Sequence, residues 1–461
     1  MEERVMVVNQ KLEAALEALK GDMLETLGRW IQVPSVRSDP AENAPFGVEV
    51  RRALDTAMAD IARLGMNPRD VDGYCCDAEI GQGEETIAVL AHLDVVPEGD
   101  GWHDAPYGAT IRDGRMIGRG TADDKGPAVA ALFAMKALVD AGVPLGKRVR
   151  LILGCDEESG MEDLTYYEEK IGLPACGFSP DANFPMINTE KGITAMTLTA
   201  SVQDERLISI QSGTRSNVVP GLAVAVVKGD IREQAAEAYE CDNESCEIET
   251  SLEDGNTIIR ITGIPAHGSM PDKGVNAAKH LLAVLYRLGI GGDSIAALYE
   301  TTGTENDGRG LGIAGADEIS GKLTLNLGLL SVTAGQLSVT YDCRYPVMYN
   351  GETVRRLVAA CLGERGFVME PGRDSKPHHV PESSALVTKM MNVYNEIMGT
   401  EARPYAIGGG TYARHLKEGV AFGMIFPGEP ELEHQADESI DIENFYKAAR
   451  IYAYSIAALC E

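Results

Sequence analysis

An apolar run over residues 86–96, TIAVLAHLDVV, carries a histidine and an aspartate near its end. An apolar segment of this length without polar alternation is typical of a parallel strand that is buried on both faces. His92 and Asp94 lie two residues apart, so their side chains point the same way on a strand. Because α/β sheets bind ligands at the carboxyl ends of their strands, the run predicts both a parallel sheet and a candidate site.

A second apolar strand follows the first after one helix. The pattern predicts a helix over residues 128–142, AVAALFAMKALVDAG, and a strand over residues 147–154, KRVRLILG, directly before the acidic CDEES. Strand, helix and strand form a βαβ unit, which predicts an α/β fold with a mixed, mainly parallel sheet flanked by helices. Helical spacing of apolar residues predicts further helices over residues 7–30, 48–64, 384–398 and 444–459.

The pattern changes near residue 192, where short alternating segments such as ITAMTLTASV and QLSVTYDCRY begin. Alternation predicts antiparallel strands, and helical patterns accompany them at residues 276–289 and 353–366. Residues 297–318 predict a loop because they are polar and rich in glycine. We therefore expect a discontinuous domain of residues 1–191 and 377–461, interrupted by an inserted α+β domain of residues 192–376.

The charge balance and the cysteines limit the surroundings in which the chain would work. Its 70 acidic and 41 basic residues give a formal net charge of -29, which repels nucleic acids and anionic membranes. The nine cysteines include no C-x-x-C pair, and the N-terminal residues show no apolar segment typical of a signal peptide. We therefore expect a cytoplasmic protein without nucleic-acid or membrane partners.

Four further segments contain residues that suit metal binding, although each also has an ordinary structural interpretation. Asp123 lies in GRGTADDKG, where an aspartate can instead cap the helix that follows. Glu157 and Glu158 lie in CDEES, where carboxylates are often only solvated. Asp181 in SPDAN fits a turn, and His434 in EHQ is a single histidine. Taken one at a time, these residues leave both interpretations open.

Together, the same residues predict a site for two divalent metal ions. Two imidazoles and three carboxylates suit zinc, manganese or cobalt, and one carboxylate can bridge two such ions. Divalent ions would also offset the repulsion among carboxylates that share one cleft. The candidate ligands are His92, Asp123, Glu158, Asp181 and His434.

The sequences of these segments and their order along the chain resemble those of one known family. The resemblance is carried, in chain order, by AHLDVVPEGDGW, GRGTADDKGP, DEESGMEDL, SPDANFP, AHGSMPDKGVNA, IGGGTYAR and HQADESI. These segments are similar to the co-catalytic metallopeptidases of the aminoacylase, acetylornithine deacetylase and succinyl-diaminopimelate desuccinylase family. Within that family the chain most resembles the bacterial dipeptidases of the PepV group. The resemblance implies a di-metal exopeptidase core with an inserted lid domain.

This resemblance implies a role for each candidate ligand. One ion would be bound by His92 and Asp181, and the other by Glu158 and His434. Asp123 would bridge the two ions. Zinc is the metal we expect first, with manganese and cobalt as alternatives, since His, Asp and Glu suit all three.

The resemblance also implies the catalytic groups. Asp94 would orient His92 or its neighbours, and Glu157 would be the general base that passes a proton from water to the leaving amine. His267, in PAHGSMP of the inserted domain, would stabilise the oxyanion. As in many family members, the peptide bond Asp123-Asp124 would be cis.

Substrate contacts and the oligomeric state follow from the same resemblance. The free carboxylate of the substrate would be bound by Arg344, Gly409, Gly410 and Thr411, with Asn217 as a further polar contact. In dimeric members the histidine equivalent to His267 comes from the partner subunit. The insertion here, about 185 residues long, instead resembles the PepV arrangement, in which the lid supplies it within one chain. We therefore expect a monomer.

Three functions remain open at this stage. The first is a metal-dependent dipeptidase that hydrolyses unblocked dipeptides or short peptides. The second is a deacylase that removes acyl groups from N-acyl amino acids with the same metals. The third is a non-catalytic binder of peptides or amino acids, which the presence of Glu157, His267 and all the candidate ligands argues against. The sequences of IGGGTYAR and of the inserted domain resemble those of the PepV group and favour the dipeptidase over the deacylase.

Overall fold

The chain folds into two compact units in a computed structural model that describes residues 9–240 and 246–461. The first unit runs to Asn188 and also includes Val380–Tyr405 and Gly410–Glu461. The second unit comprises Thr189–His379 and Ala406–Gly409. The chain therefore leaves the first unit, builds the second, and returns.

The bounds of the elements are as follows. The helices in these residues are α1 (Gln10–Ile31), α2 (Val48–Arg63), α3 (Lys125–Asp140), α4 (Glu162–Lys170), α5 (Arg232–Ala238), α6 (Ala277–Arg287), α7 (Gly292–Thr302), α8 (Gly351–Gly363), α9 (Ala385–Met398) and α10 (Ile442–Cys460). The strands are β1 (Arg69–Val71), β2 (Cys75–Gly81), β3 (Thr86–His92), β4 (Thr110–Arg112), β5 (Arg115–Ile117), β6 (Arg148–Gly154), β7 (Cys176–Ser179), β8 (Ile187–Glu190), β9 (Gly192–Ser201), β10 (Leu207–Ser212), β11 (Leu222–Lys228), β12 (Glu247–Glu253), β13 (Asn256–Thr262), β14 (Ala316–Asp317), β15 (Gly321–Lys322), β16 (Thr324–Thr333), β17 (Gln336–Tyr345), β18 (Val368–Met369), β19 (Asp374–Ser375), β20 (His378–His379), β21 (Tyr405–Ile407), β22 (Glu418–Ala421) and β23 (Ser439–Asp441).

The first unit is built on a mixed sheet in which the strand order runs β1-β2-β6-β3-β7-β22. The central strands are parallel, because β3 pairs in parallel with both β6 and β7, and β7 pairs in parallel with β22. The strands β1 and β2 are antiparallel to their neighbours at one edge. The parallel centre brings the carboxyl ends of β3, β6 and β7 to one edge of the sheet.

Strand β3 is apolar over residues 87–91 because hydrophobic cores cover both of its faces. Ile87, Val89 and Ala91 belong to the large core that also contains the buried residues of α1, α3 and α10. Ala88 and Leu90 belong to a smaller core on the opposite face, together with residues of α4. Because successive side chains point to opposite faces, a strand covered on both sides has no position left for solvent.

Helix α3 is the most enclosed helix of the first unit. Its residues from Lys125 to Met135 are all buried, and α1 and α10 pack against it. A helix that is apolar on all faces belongs in the interior rather than at the surface. None of the helices in the described part of the chain combines the length and hydrophobicity needed to cross a bilayer.

The second unit is an antiparallel sheet with helices. Its strand order is β12-β13-β11-β10-β16-β17-β9-β18, and each adjacent pair is antiparallel. A separate core joins the sheet to residues of α6, α7 and α8. This unit therefore has the α+β character that the alternating segments predict.

The predicted fold class is confirmed as a mixed sheet flanked by helices, in which the parallel pairs occupy the centre, and an α+β unit is inserted in sequence. The loop predicted over residues 297–318 is wrong in part, because α7 extends to Thr302. Ile295 and Leu298 are buried three residues apart, and Thr301 and Thr302 are buried beside them. The buried face of α7 includes two threonines, so its apolar stripe is short and the flanking glycines conceal it.

Candidate active site

Three of the predicted ligands, His92, Glu158 and Asp181, lie at the carboxyl ends of parallel strands in the first unit. His92 is the last residue of β3. Glu157 and Glu158 lie in the turn that follows β6, and Asp181 lies two residues after β7. Since these strands are neighbours in the parallel part of the sheet, their ends place residues that are distant in sequence close together.

A first group of possible ligands consists of His92, Asp123 and Asp181, with ligand atoms all within 4.8 Å of one another. Nε2 of His92 lies 2.9 Å from Oδ1 of Asp123 and 3.8 Å from Oδ2 of Asp181. Nδ1 of the buried His92 lies 2.9 Å from the backbone oxygen of Asp94. A hydrogen bond there would place the proton on Nδ1 and leave Nε2 as the nitrogen available to a metal.

A second group consists of Asp123, Glu158 and His434, again with ligand atoms within 4.8 Å of one another. Nε2 of His434 lies 2.9 Å from Oδ2 of Asp123 and 3.0 Å from Oε1 of Glu158. His434 has a positive φ of 63°, a conformation that costs a residue with a side chain some strain and is enriched at functional sites. Asp123 belongs to both groups, through one oxygen in each.

Backbone hydrogen bonds hold the turns that carry these residues. Asp94 accepts hydrogen bonds from the backbone N–H groups of Glu157 at 3.2 Å and Glu158 at 3.1 Å. Asp124 accepts one from the N–H of His92 at 2.9 Å and makes no capping bond to α3, so the helix-cap interpretation does not apply to it. The predicted cis peptide bond Asp123-Asp124 is confirmed.

The crowding of carboxylates shifts the pKa values across the site. Burial, and then the negative charge of Asp123, raise the pKa of Asp181 to about 8. Burial disfavours the charged form of His434, but hydrogen bonds to Asp123 and Glu158 outweigh it and raise its pKa to about 11. Burial would raise the pKa of Asp123, but hydrogen bonds from His434 and His92 lower it. Without another positive charge in the site, such as a metal ion, some of these side chains therefore stay protonated at neutral pH.

The donor set fits divalent metal ions. Imidazole nitrogens and carboxylate oxygens are the ligands of zinc and related transition metals, and both groups contain one imidazole and two carboxylates. A carboxylate with one oxygen in each group is the feature that a pair of neighbouring ions requires. Positive ions at these positions would also remove the electrostatic cost of the crowded carboxylates.

The sequence did not reveal Glu438, which supports the loop of Asp123. Oε1 of this buried residue accepts hydrogen bonds from the N–H groups of Gly120 at 3.0 Å, Ala122 at 2.8 Å and Asp123 at 3.2 Å. Its Oε2 pairs with the buried Arg119 at 2.7 Å. The only signal was its place four residues after His434 in HQADESI, directly before β23.

The second unit contains the predicted residues His267 and Asn217 on adjacent segments. The N–H of Gly268 donates to the backbone oxygen of Asn217 at 2.7 Å, and Val218 forms an isolated bridge with His267. The N–H of Ser269 donates to Nδ1 of His267 at 3.3 Å. Nδ1 is therefore an acceptor, and the neutral imidazole carries its proton on Nε2.

Arg344 lies in the same unit and is buried on β17. Its guanidinium makes a two-point pair with Asp342, at 2.7 and 2.8 Å, and donates to the backbone oxygen of Gly408 at 2.6 Å. Arg344 is thus fixed next to the segment that contains Gly409. The paired Asp342 means that part of the guanidinium is already engaged.

Gly410 and Thr411 belong to the first unit and lead into a short 3₁₀ turn, Tyr412–His415. Oγ1 of the buried Thr411 accepts a hydrogen bond from the N–H of Ala413 at 3.1 Å. Gly410 and Thr411 therefore lead directly into a 3₁₀ turn that Thr411 caps.

Two groups of possible metal ligands that share one aspartate, with a glutamate in the adjoining turn, are typical of metal-dependent hydrolases. The chain belongs to peptidase family M20/M25/M40, whose profile matches residues 88–458. The predicted metallopeptidase is thereby confirmed.

Curated relatives agree with this assignment over almost the whole chain. The chain is 36% identical over 456 residues to a protein of Bacillus subtilis strain 168 named "Putative dipeptidase YtjP", covering 96% of this chain and 98% of the relative. It is 34% identical over 468 residues to "Putative dipeptidase SH1171" of Staphylococcus haemolyticus, with 96% and 98% covered.

Solved structures with the same fold include two dipeptidases. Human carnosine dipeptidase 1 aligns with a TM-score of 0.60 and 15% identity over 99% of both chains. The dipeptidase Dug1p of Saccharomyces cerevisiae aligns with a TM-score of 0.60 and 13% identity over 98% of both chains. At such low identity these alignments support the fold.

Metal binding to the metal-free protein is expected to release protons near pH 7. Asp181, with a pKa of about 8, and His434, with a pKa of about 11, hold protons there and must lose them to act as ligands. The release should decrease as the pH is raised through about 8, since Asp181 then ionises without metal. Calorimetric titration with a divalent metal in buffers of different ionisation enthalpy measures the release. An apparent enthalpy that does not depend on the buffer would contradict this expectation.

Proposed function

We propose that this chain is a metal-dependent dipeptidase that hydrolyses unblocked dipeptides or short peptides. The observation that carries the proposal is the pair of ligand groups that share Asp123, next to the turn that holds Glu157. Membership of the peptidase family supports hydrolysis of peptide bonds. The names of the relatives, which are dipeptidases, support small peptides as substrates.

The two ligand groups suggest the metal assignment. His92 and Asp181 would hold one ion, Glu158 and His434 would hold the other, and Asp123 would contribute to both. We expect zinc, with manganese or cobalt as alternatives, because the donor set suits all three. When bound, such ions supply Lewis-acid polarisation of the scissile carbonyl and lower the pKa of water.

Glu157 is proposed to move the proton during hydrolysis. Its carboxylate would take a proton from the attacking water and return it to the nitrogen of the leaving amine. Burial, and then the negative charge of Asp181, raise the pKa of Glu157, which is the direction that a proton acceptor near neutral pH requires. Asp94 would keep Glu157 in place through its backbone N–H.

Residues of the second unit and of the glycine-rich segment are proposed to bind the substrate. Arg344, Gly409, Gly410, Thr411 and Asn217 would contact the substrate, the first four at its free carboxylate. The Nε2–H group of His267 would donate a hydrogen bond to the oxyanion that forms at the attacked carbonyl. This role agrees with the acceptor role of Nδ1 in the same ring.

The two units are proposed to have separate roles. The first would be the catalytic domain, and the second would be a lid that supplies His267 to the site of its own chain, so that the protein acts as a monomer. The cytoplasmic location also stays a prediction. It is supported by seven cysteines with free thiols in the described part of the chain, namely Cys75, Cys76, Cys155, Cys176, Cys343, Cys361 and Cys460.

A substrate panel tests the proposed function. The metal-loaded protein is expected to hydrolyse unblocked dipeptides faster than N-acetyl or N-succinyl amino acids, as measured by release of free amino acids. Faster turnover of the acylated compounds would make the chain a deacylase. Binding of dipeptides without any hydrolysis would make it a peptide binder.

The same panel with Glu157→Gln separates the general base from the metal ions. This variant is expected to lose about 100- to 10,000-fold in kcat, because the proton transfer loses its acceptor, while its metal content stays that of the wild type. Glu168→Gln, at an exposed position on α4, is the matched control and should keep wild-type activity. Wild-type kcat in Glu157→Gln would remove Glu157 from the proposed chemistry.

A mixing experiment tests whether His267 acts within its own chain. His267→Ala and Glu157→Gln are each expected to be nearly inactive, and an equimolar mixture should stay so, since neither chain then contains both groups. Size-exclusion chromatography with light scattering gives the oligomeric state in parallel. Recovery of activity in the mixture would show that the histidine crosses between chains.

A further inference from the structure

We propose that Asp163 and Tyr412 form a buried positioning pair that fixes the turn of Glu157 and Glu158 and ties the segment of Gly410 and Thr411 to it. The roles of Glu157, Glu158 and Thr411 are those of the proposed function, on which this inference rests. Neither Asp163 nor Tyr412 is one of the proposed ligands or substrate contacts.

Asp163 holds the first half of the turn after β6. This fully buried residue lies in the first turn of α4. Its Oδ2 accepts hydrogen bonds from the N–H groups of Cys155 at 2.5 Å and Asp156 at 2.9 Å, and its Oδ1 accepts one from Leu164 at 2.7 Å. One buried oxygen that accepts two backbone N–H groups fixes the positions of both.

Two carboxylates share the backbone of this turn. Asp163 receives the N–H groups of Cys155 and Asp156, and Asp94 receives those of Glu157 and Glu158. Each of the four consecutive N–H groups of residues 155–158 thus donates a hydrogen bond to one of two buried carboxyl groups. A shift of Asp163 would move the turn that carries both the proposed base and a proposed ligand.

Tyr412 connects this turn to the glycine-rich segment. Its hydroxyl donates to Oδ2 of Asp163, the oxygen that also receives Cys155 and Asp156. The ring is buried and stands edge-on to His92, with ring centroids 6.1 Å apart and planes at 82°. Tyr412 directly follows Thr411, so one hydroxyl links the proposed carboxylate contact to the proposed base.

Gly154, the last residue of β6, shows that the pair is closely fitted. A Cβ atom built on this glycine would collide with both the hydroxyl of Tyr412 and Oδ2 of Asp163. The absence of a side chain lets the pair lie against the end of the strand. The glycine, the tyrosine and the aspartate therefore form one arrangement at the carboxyl end of β6.

A second tyrosine–aspartate pair in the same unit provides a matched control. Tyr167 and Asp77 are both buried, the hydroxyl of Tyr167 donates to Asp77, and Tyr167 belongs to the same small core as Tyr412. Asp77 also pairs with Arg69 and does not receive the N–H groups of residues 155–158. Tyr167→Phe removes a buried tyrosine–aspartate hydrogen bond whose acceptor does not bind the N–H groups of residues 155–158.

The test compares Tyr412→Phe, Asp163→Asn and Tyr167→Phe in the full-length protein. Metal affinity is measured by competition with a zinc chelator, and kcat is measured with a dipeptide. Tyr412→Phe and Asp163→Asn are expected to lose about 10- to 100-fold in both quantities, as outer partners of metal ligands do. Tyr167→Phe is expected to stay within about threefold in both, even where its melting temperature falls as much as that of Tyr412→Phe.

Two outcomes would overturn the positioning role. One is equal losses of metal affinity and kcat in Tyr412→Phe and Tyr167→Phe, which would make the pair a structural contact only. The other is wild-type values in Tyr412→Phe. If Asp163→Asn fails to fold, the comparison of Tyr412→Phe with Tyr167→Phe still tests the positioning role. If the wild type hydrolyses no dipeptide, the proposed function is wrong, and the metal affinities of the variants still test the positioning role.

Discussion

The structure depends on one aspartate that is shared between two imidazoles. Each oxygen of Asp123 lies 2.9 Å from a histidine nitrogen, one from His92 at the end of β3 and one from His434 far along the chain. Three carboxylates in so small a space repel one another, and burial, followed by the negative charge of Asp123, raises the pKa of Asp181. Positive charge at two adjacent positions relieves it, which is why the arrangement suits a pair of divalent ions better than a single one.

Around this centre, further carboxylates act on the backbone instead of on a metal. Glu438 receives the N–H groups of the Asp123 loop, Asp124 receives that of His92, and Asp94 receives those of Glu157 and Glu158. Such acceptors orient the proposed metal ligands and the proposed base and allow them little movement. The large acidic excess of the chain is therefore used in part as internal support, in addition to any effect on solubility.

The sequence allowed prediction of those features that follow from local pattern and from chain order. The unbroken apolar run of β3 predicted a sheet covered on both faces, and its terminal His92 indicated the site. Helix α7 was missed because its buried stripe is short and flanked by glycines. Glu438 was missed because its backbone partners lie in a loop that is distant in sequence. Asp163 was missed because its link to Tyr412 joins residues 249 positions apart, and such contacts exist only in the folded chain. The pairing of Asp123 with both histidines likewise joins three segments that are distant in sequence.

The most direct test counts the divalent ions that the wild type, His434→Ala and Asp123→Ala retain per chain after equilibrium dialysis, by elemental analysis. We expect two ions per chain in the wild type and one in His434→Ala, because that variant loses a ligand of one group only. We expect no ions in Asp123→Ala, because that variant loses the ligand common to both groups. Wild-type metal content in Asp123→Ala, or a wild type that retains no metal, would contradict it.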